Sequence, residues 1–141
     1  MYSAVGCLRV PTSTEFKRAT AVFTGEVIAI EYQPHDGTQV ESQRVRIKTQ
    51  KWWKGDKSDE VLVYTGWARK PDGINWQTFG VMYAYNFAIG ESYLIYAFNS
   101  RFQNRLRTDR CKRTNTLFNA GFDLKELEEE FLPNTTVLDI L

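Results

Sequence analysis

The chain is poor in the residues that most chemistry needs, with 2 cysteines and 1 histidine among 141 residues. A lone histidine cannot supply a zinc set or a Cys-His or Ser-His nucleophile pair. His35 sits in the turn signature Pro34-His35-Asp36-Gly37 and reads as an exposed loop residue. Neither Cys7 nor Cys111 lies in a C-x-x-C pair suited to metal or redox work. A phosphate-cradling glycine loop and a serine-nucleophile motif are both missing. The expectation is therefore a non-enzymatic chain, with no catalytic residue, metal or cofactor. Long apolar runs are absent too: Ala21-Val22-Phe23 and Tyr93 to Phe98 fall far below the roughly 20 residues that a membrane-spanning helix needs. Charge of one sign is also lacking, since 18 Lys and Arg face 17 Asp and Glu. The field of the whole molecule thus steers it toward neither nucleic acid nor an anionic membrane. Met1 to Gly6 lack the charged start and apolar centre of an intact signal peptide, so Met1 reads as a start placed before an already mature chain.

What is present suits one domain with a real core: 43% of residues are hydrophobic and 14% aromatic. The two cysteines leave two options open, buried free thiols or one long-range disulfide in an oxidising compartment. A bridge would close most of the chain into a loop, worth about 4 to 5 kcal/mol in the chain-entropy model.

Thr12-Ser13-Thr14-Glu15 has the capping-box pattern, which predicts a short helix from Ser13 to Arg18. Thr20 to Tyr32, β-branched and aromatic with Gly25 in the middle, predicts a first strand that coils or bulges. Arg44 to Gln50 alternates strictly, Val45, Ile47 and Thr49 against Arg44, Arg46, Lys48 and Gln50. Continuing that period puts Trp53 on the inner face and leaves Trp52 as a partly exposed strand-end residue, before a turn at Lys54-Gly55-Asp56. Val61 to Thr65, Tyr93 to Phe98 and Leu106 to Lys112 complete five strands. Gly66 to Gly90 is an aromatic-rich insertion without clean periodicity. Thr114 to Ala120 predicts a short helix stopped by Gly121. Asp123 to Glu126 repeats the capping-box pattern, with Phe122 and Leu127 as a hydrophobic staple and Leu124, Leu127 and Phe131 on one helix face. Five strands, an insertion and terminal helices fit a mainly β, five-stranded OB-fold-like Greek-key barrel, with a tail from 132 to 141.

The one basic concentration, Arg101, Arg105, Arg107, Arg110, Lys112 and Arg113, would split between two faces of a strand. It reads as solvated surface charge, neutralised by the acidic stretch Glu126 to Glu130, more than as a polyanion surface.

Four motifs follow one another along the chain: Phe16-x-x-Ala19-x-x-Val22-Phe23-x-Gly25-x-Val27, Trp53-Lys54-Gly55, Phe87-x-x-Gly90-Glu91-x-Tyr93-Leu94-Ile95-Tyr96-Ala97 and Leu106-x-Thr108-x-x-Cys111-x-Arg113-Thr114. In this order they resemble the netrin-like domains of the tissue inhibitors of metalloproteinases and their bacterial relatives. The resemblance spans about Cys7 to Leu127. It implies an OB-like barrel and an exported setting: secreted, periplasmic or on the cell surface. It also implies a Cys7–Cys111 bridge. The family's second bridge is missing, with Val5 and Tyr83 where its partners would fall. In the animal inhibitors the first residue's amine and carbonyl chelate the protease zinc; the matching position here is Val5, preceded by four residues. The functional expectation is a protein-interaction module that displays the N-terminal arm, Val5, Gly6, Cys7 and Leu8, and the insertion residues Trp67, Trp76 and Phe79. Inhibition of a zinc protease is the alternative, and single-strand nucleic-acid or polyanion binding a second one.

Overall fold

Two layers of apolar side chains, one inside a closed β-barrel and one between its wall and two helices, account for the architecture. The structure, a computed structural model, describes residues 7–32, 40–68, 84–99 and 105–131. Its elements are α1 (Thr12–Arg18), β1 (Ala21–Tyr32), β2 (Val40–Lys54), β3 (Glu60–Ala68), β4 (Ser92–Asn99), β5 (Leu106–Thr108), β6 (Asn115–Thr116), a 3-10 turn (Leu117–Asn119) and α2 (Gly121–Glu130). β1 pairs with β2 and β2 with β3, both antiparallel; β3 meets β5 in parallel, β5 returns antiparallel to β4, and β4 closes on β1. The order β1-β2-β3-β5-β4-β1 is the expected five-stranded Greek-key barrel. The short β6 adds to β4, with Tyr93 opposite Thr116.

Closure requires strong coiling of β1, which pairs with β4 over Ala21–Glu26 while also pairing with β2. Gly25 permits the approach: a Cβ there would stand 2.4 Å from Ile47 Cγ2 and 2.7 Å from the Lys48 carbonyl. Register shifts in the β1–β2 ladder leave Gln50 and Trp53 as extra residues on β2 and Ile28 as an extra residue on β1. A bulge inverts the inward and outward phase of the residues beyond it. So Val45 and Ile47 point inward, and past the Gln50 bulge it is Trp52 that enters the interior, 2% exposed and stacked on Phe23 at 4.7 Å. Trp53 belongs to the outer layer at 5% exposure, which reverses the assignment that unbroken alternation predicts.

β4 is buried on both sides, Tyr93, Ile95 and Ala97 inward and Leu94, Tyr96 and Phe98 toward the helices. That is why it is a continuous apolar run. Leu127 is fully buried in the outer layer, Leu124 packs beside it, and Phe131 stacks on Phe16 of α1 at 3.9 Å. The expected helix from Thr114 to Ala120 is instead β6 followed by one 3-10 turn, capped by Thr116 Oγ1 accepting from the Asn119 N–H. The strand expected as far as Lys112 ends at Thr108, because Asp109 turns the chain: its carbonyl and carboxylate accept from the Lys112 and Cys111 N–H groups.

Candidate functional site

The arm from Cys7 onward and the returning limb of the insertion, residues 84–90, meet at one end of the barrel. Cys7 is bridged to Cys111 across 104 residues, with the two Cα atoms 5.0 Å apart. The next anchor is Arg113, whose Nη1 donates to the Val10 carbonyl at 3.0 Å. Between these two fixed points Leu8 stands 87% exposed. The returning limb of the insertion is pinned just as closely. The Tyr85 N–H donates to Thr65 Oγ1 of β3 and the Ala88 N–H to the Tyr93 hydroxyl, both at 2.8 Å. The Gly90 N–H donates to the Val27 carbonyl at 2.8 Å. Tyr85, Phe87 and Tyr93 form a ring cluster with centroids 4.7 to 5.7 Å apart. Burial raises the Tyr85 phenol above its ordinary range, and the Arg9 charge pulls against that shift, so the arm and the insertion already share an electrostatic neighbourhood.

Arg113 holds this end to the rest of the molecule. Its Nε and Nη2 donate to the two oxygens of Asp123 in α2, each at 2.8 Å, a bidentate fork on a carboxylate. The Tyr96 hydroxyl of β4 donates to the same carboxylate at 2.8 Å. The Arg113 N–H donates to Glu15 Oε2 of α1 at 2.7 Å. One arginine therefore connects the arm, both helices and the barrel wall. Hydrogen bonding to Asp123 raises the guanidinium pKa, and burial next to Asp123 drives the Tyr96 phenol far above its ordinary value, so it stays a donor. Glu15 is raised above the usual carboxylate range, chiefly by desolvation, with the Arg113 N–H and the Lys112 and Arg113 charges acting against it. Thr114 continues the buried chain: its Oγ1 accepts from the Tyr96 N–H at 3.0 Å and lies 2.9 Å from Thr108 Oγ1.

Neither capping box forms. The helix cap before Thr12 is Pro11 and that before α2 is Ala120, both without side-chain capping bonds. Glu15 and Asp123, the acids that would have capped, are drawn to Arg113, and Thr12 Oγ1 is left buried with no partner among the described residues. The staple is absent as well, since Phe122 is 66% exposed while Leu127 is fully buried. Of the described members of the basic concentration, Arg110 is exposed, whereas Arg113 is mostly buried, Arg105 stacks over Tyr64 and Lys112 over Phe98. Its neutralising acids are Asp109 and Asp123, and Glu128 pairs with Lys51 instead.

Of the residues expected to recognise a partner, Cys7 and Leu8 lie at this end, and Trp67 occupies β3 opposite Glu41. Val5, Gly6, Trp76 and Phe79 lie outside the described residues, as do His35, Arg101 and Tyr83. Exposed Ile89, just before β4, and Phe118, two residues past the Tyr93–Thr116 pair, were not picked out by pattern but flank the same end. Their only sequence signal is a large apolar residue inside a turn. Among the described residues no group of three His, Cys, Asp or Glu is placed to hold a metal, and no helix is long and apolar enough to cross a membrane. Fold and site define a closed five-stranded barrel with a disulfide-pinned arm. No protein-family model matches the chain, and no curated protein matches its sequence.

Proposed function

We propose that this chain is an exported, non-enzymatic protein-interaction module of netrin-like type whose recognition surface is the barrel end carrying the arm and the insertion. One observation carries the reading: the Cys7–Cys111 bridge and the Tyr85–Thr65 bond fix two sequence-distant segments at the same rim, with Leu8, Ile89 and Phe118 exposed around them. Loops held on a rigid scaffold are where recognition concentrates, and large exposed apolar side chains in a group mark contact surfaces. A disulfide of this span fits an oxidising compartment. Placing a photo-crosslinking residue at position 8 and, separately, at Asp56 in the β2–β3 turn separates the two barrel ends. Crosslinks to one protein from position 8 and none from position 56 support the reading; equal yields from both, or crosslinks from 56 alone, end it.

Inhibition of a zinc protease is a second reading, favoured by the disulfide fastening a segment two residues after Val5. A chain processed to begin at Val5 tests it, since an amine and adjacent carbonyl ligate zinc whatever the side chain. No inhibition across a zinc-protease panel at high micromolar concentration rejects it. Nucleic-acid binding has the least support. On the outer wall Arg44 pairs with Glu31 and Arg46 with Glu60, so these cations already have acidic partners.

A further inference from the structure

The Cys7–Cys111 bridge lies outside both apolar cores. Neither cysteine belongs to the barrel interior or to the layer under the helices; Cys7 is exposed and Cys111 half-buried. Among the described residues, the arm from Leu8 to Pro11 has one hydrogen bond to a distant part of the chain, Arg113 Nη1 donating to the Val10 carbonyl at 3.0 Å. Leu8 is 87% exposed and Arg9 is exposed as well, so apolar contact adds little hold on this stretch. The other side of the bridge is anchored without it. The Asp109 carboxylate and carbonyl accept from the Cys111 and Lys112 N–H groups, the Arg113 side chain forks onto Asp123, and Thr114 Oγ1 accepts from the Tyr96 N–H. One cysteine therefore sits in a turn that keeps its shape unaided, and the other on an arm with little else to keep it there. Structural disulfides resist reduction, whereas exposed ones are the labile, regulatory or catalytic kind.

We propose that the bridge is a redox-operated latch on the arm, opened by a dithiol carrier of the C-x-x-C class. Closed, it holds Leu8 at the rim that also exposes Ile89 and Phe118; open, the arm is held at Val10 alone and Leu8 leaves that surface. One thiolate of the carrier attacks the Cys7 sulfur, the S–S bond breaks, and Cys111 leaves as a thiolate that takes up a proton. The carrier's second thiolate then attacks the mixed disulfide and releases Cys7. Two electrons pass from the carrier, which ends as a disulfide, to the bridge, and the carrier's two protons end on Cys7 and Cys111. Opening spares the fold, because both cores and the Arg113, Asp123 and Tyr96 cluster stay closed without the bridge. The latch regulates the proposed recognition surface, so its consequence for a partner rests on the interaction reading, while release of the arm does not.

The test treats the whole native chain with thioredoxin, kept reduced by its reductase and NADPH, and reads the Leu8 and Arg9 amides by ¹⁵N relaxation. The expected result is complete reduction without denaturant, with the order parameters of Leu8 and Arg9 falling below about 0.6 while the β1 and β4 amides keep their shifts. The double variant Cys7→Ser, Cys111→Ser should show the same mobile arm and the same barrel spectrum with no reductant present. A native bridge that thioredoxin cannot reduce overturns the proposal. So do order parameters that stay high after reduction, or loss of the barrel spectrum in both the reduced chain and the double variant, since the bridge would then hold the fold and not the arm. Crosslinking from position 8, repeated on the reduced chain, separates this from the interaction reading: it should be lost on reduction. Crosslinks that persist from a mobile arm uphold the latch and reject that reading, whereas an arm that stays ordered overturns the latch whatever the crosslinks show.

Discussion

Alternate residues of β4 build two cores of different character. Inward, Tyr93, Ile95 and Ala97 join Phe23, Val45, Ile47 and Val63 in a cluster held by closure of the strands. Outward, Leu94 and Tyr96 join Trp53 and Leu127, and the Tyr96 hydroxyl enters a cluster with Arg113 and Asp123 at the edge of that layer. The inner core can be apolar because the barrel satisfies its own backbone. The outer layer must also say where a loose arm and two short helices dock, and apolar contact alone specifies such placement weakly. A bidentate arginine reaching from Asp123 to the Val10 carbonyl specifies it well.

Breaking each core in turn should separate the two roles. Phe23→Ala removes a fully buried ring stacked on Trp52 and should cost about 3–5 kcal/mol of global stability in denaturant titration. The arm should unlock only with global unfolding. Arg113→Ala leaves Asp123 with the Tyr96 hydroxyl but without its guanidinium fork and frees the Val10 carbonyl, while Glu15 keeps the backbone N–H of residue 113; because the Arg113–Asp123 pair keeps some solvent contact, the loss should fall near the lower end of about 3–5 kcal/mol. Its signature is local: trypsin should cut after Arg9 under conditions where Phe23→Ala is still resistant there. If both variants expose Arg9 equally at matched stability, the division between inner and outer core fails. Gly25→Ala should cost about 1–3 kcal/mol by overpacking against Ile47 and the Lys48 carbonyl, seen as a lower melting temperature with unchanged sensitivity at Arg9.

The smallest effect concerns pH. Glu15 is raised in the folded state by desolvation, so its contribution to stability is full below the ordinary glutamate range and is lost as pH climbs through the raised value. Glu15→Gln keeps an oxygen for the Arg113 N–H and removes the charge. It should match or slightly exceed the parent at neutral pH, with that advantage shrinking on acidification, as denaturant midpoints across the range would show. A variant that loses stability steeply toward neutral pH relative to the parent contradicts the desolvation argument.

Much of the barrel was legible because its strands obey simple rules. β1 and β4 stood out as β-branched and aromatic runs, and Gly25 marked the place where the strand had to coil. Legibility stopped where one residue changed the count: the Gln50 bulge exchanged Trp52 and Trp53 between cores, which no alternation rule foresees. It stopped again where tertiary partners overrode local ones. Glu15 and Asp123 carry convincing capping patterns, yet both turn to Arg113, which lies 98 residues from one and 10 from the other. The link from Cys7 to Cys111 came from a family likeness and not from spacing, and the insertion had no period to read. Ile89 and Phe118 are large apolar residues in turns, and only the register of β4 and β6 places them on the rim.

The Cys7–Cys111 bridge fastens the arm beside the β5–β6 connection, and peptide mapping without reductant examines that directly. Digestion of the native, unreduced chain should release one disulfide-linked species containing Cys7 and Cys111, with neither thiol reacting with iodoacetamide beforehand. Two alkylated cysteines in the folded, unreduced protein would contradict the account.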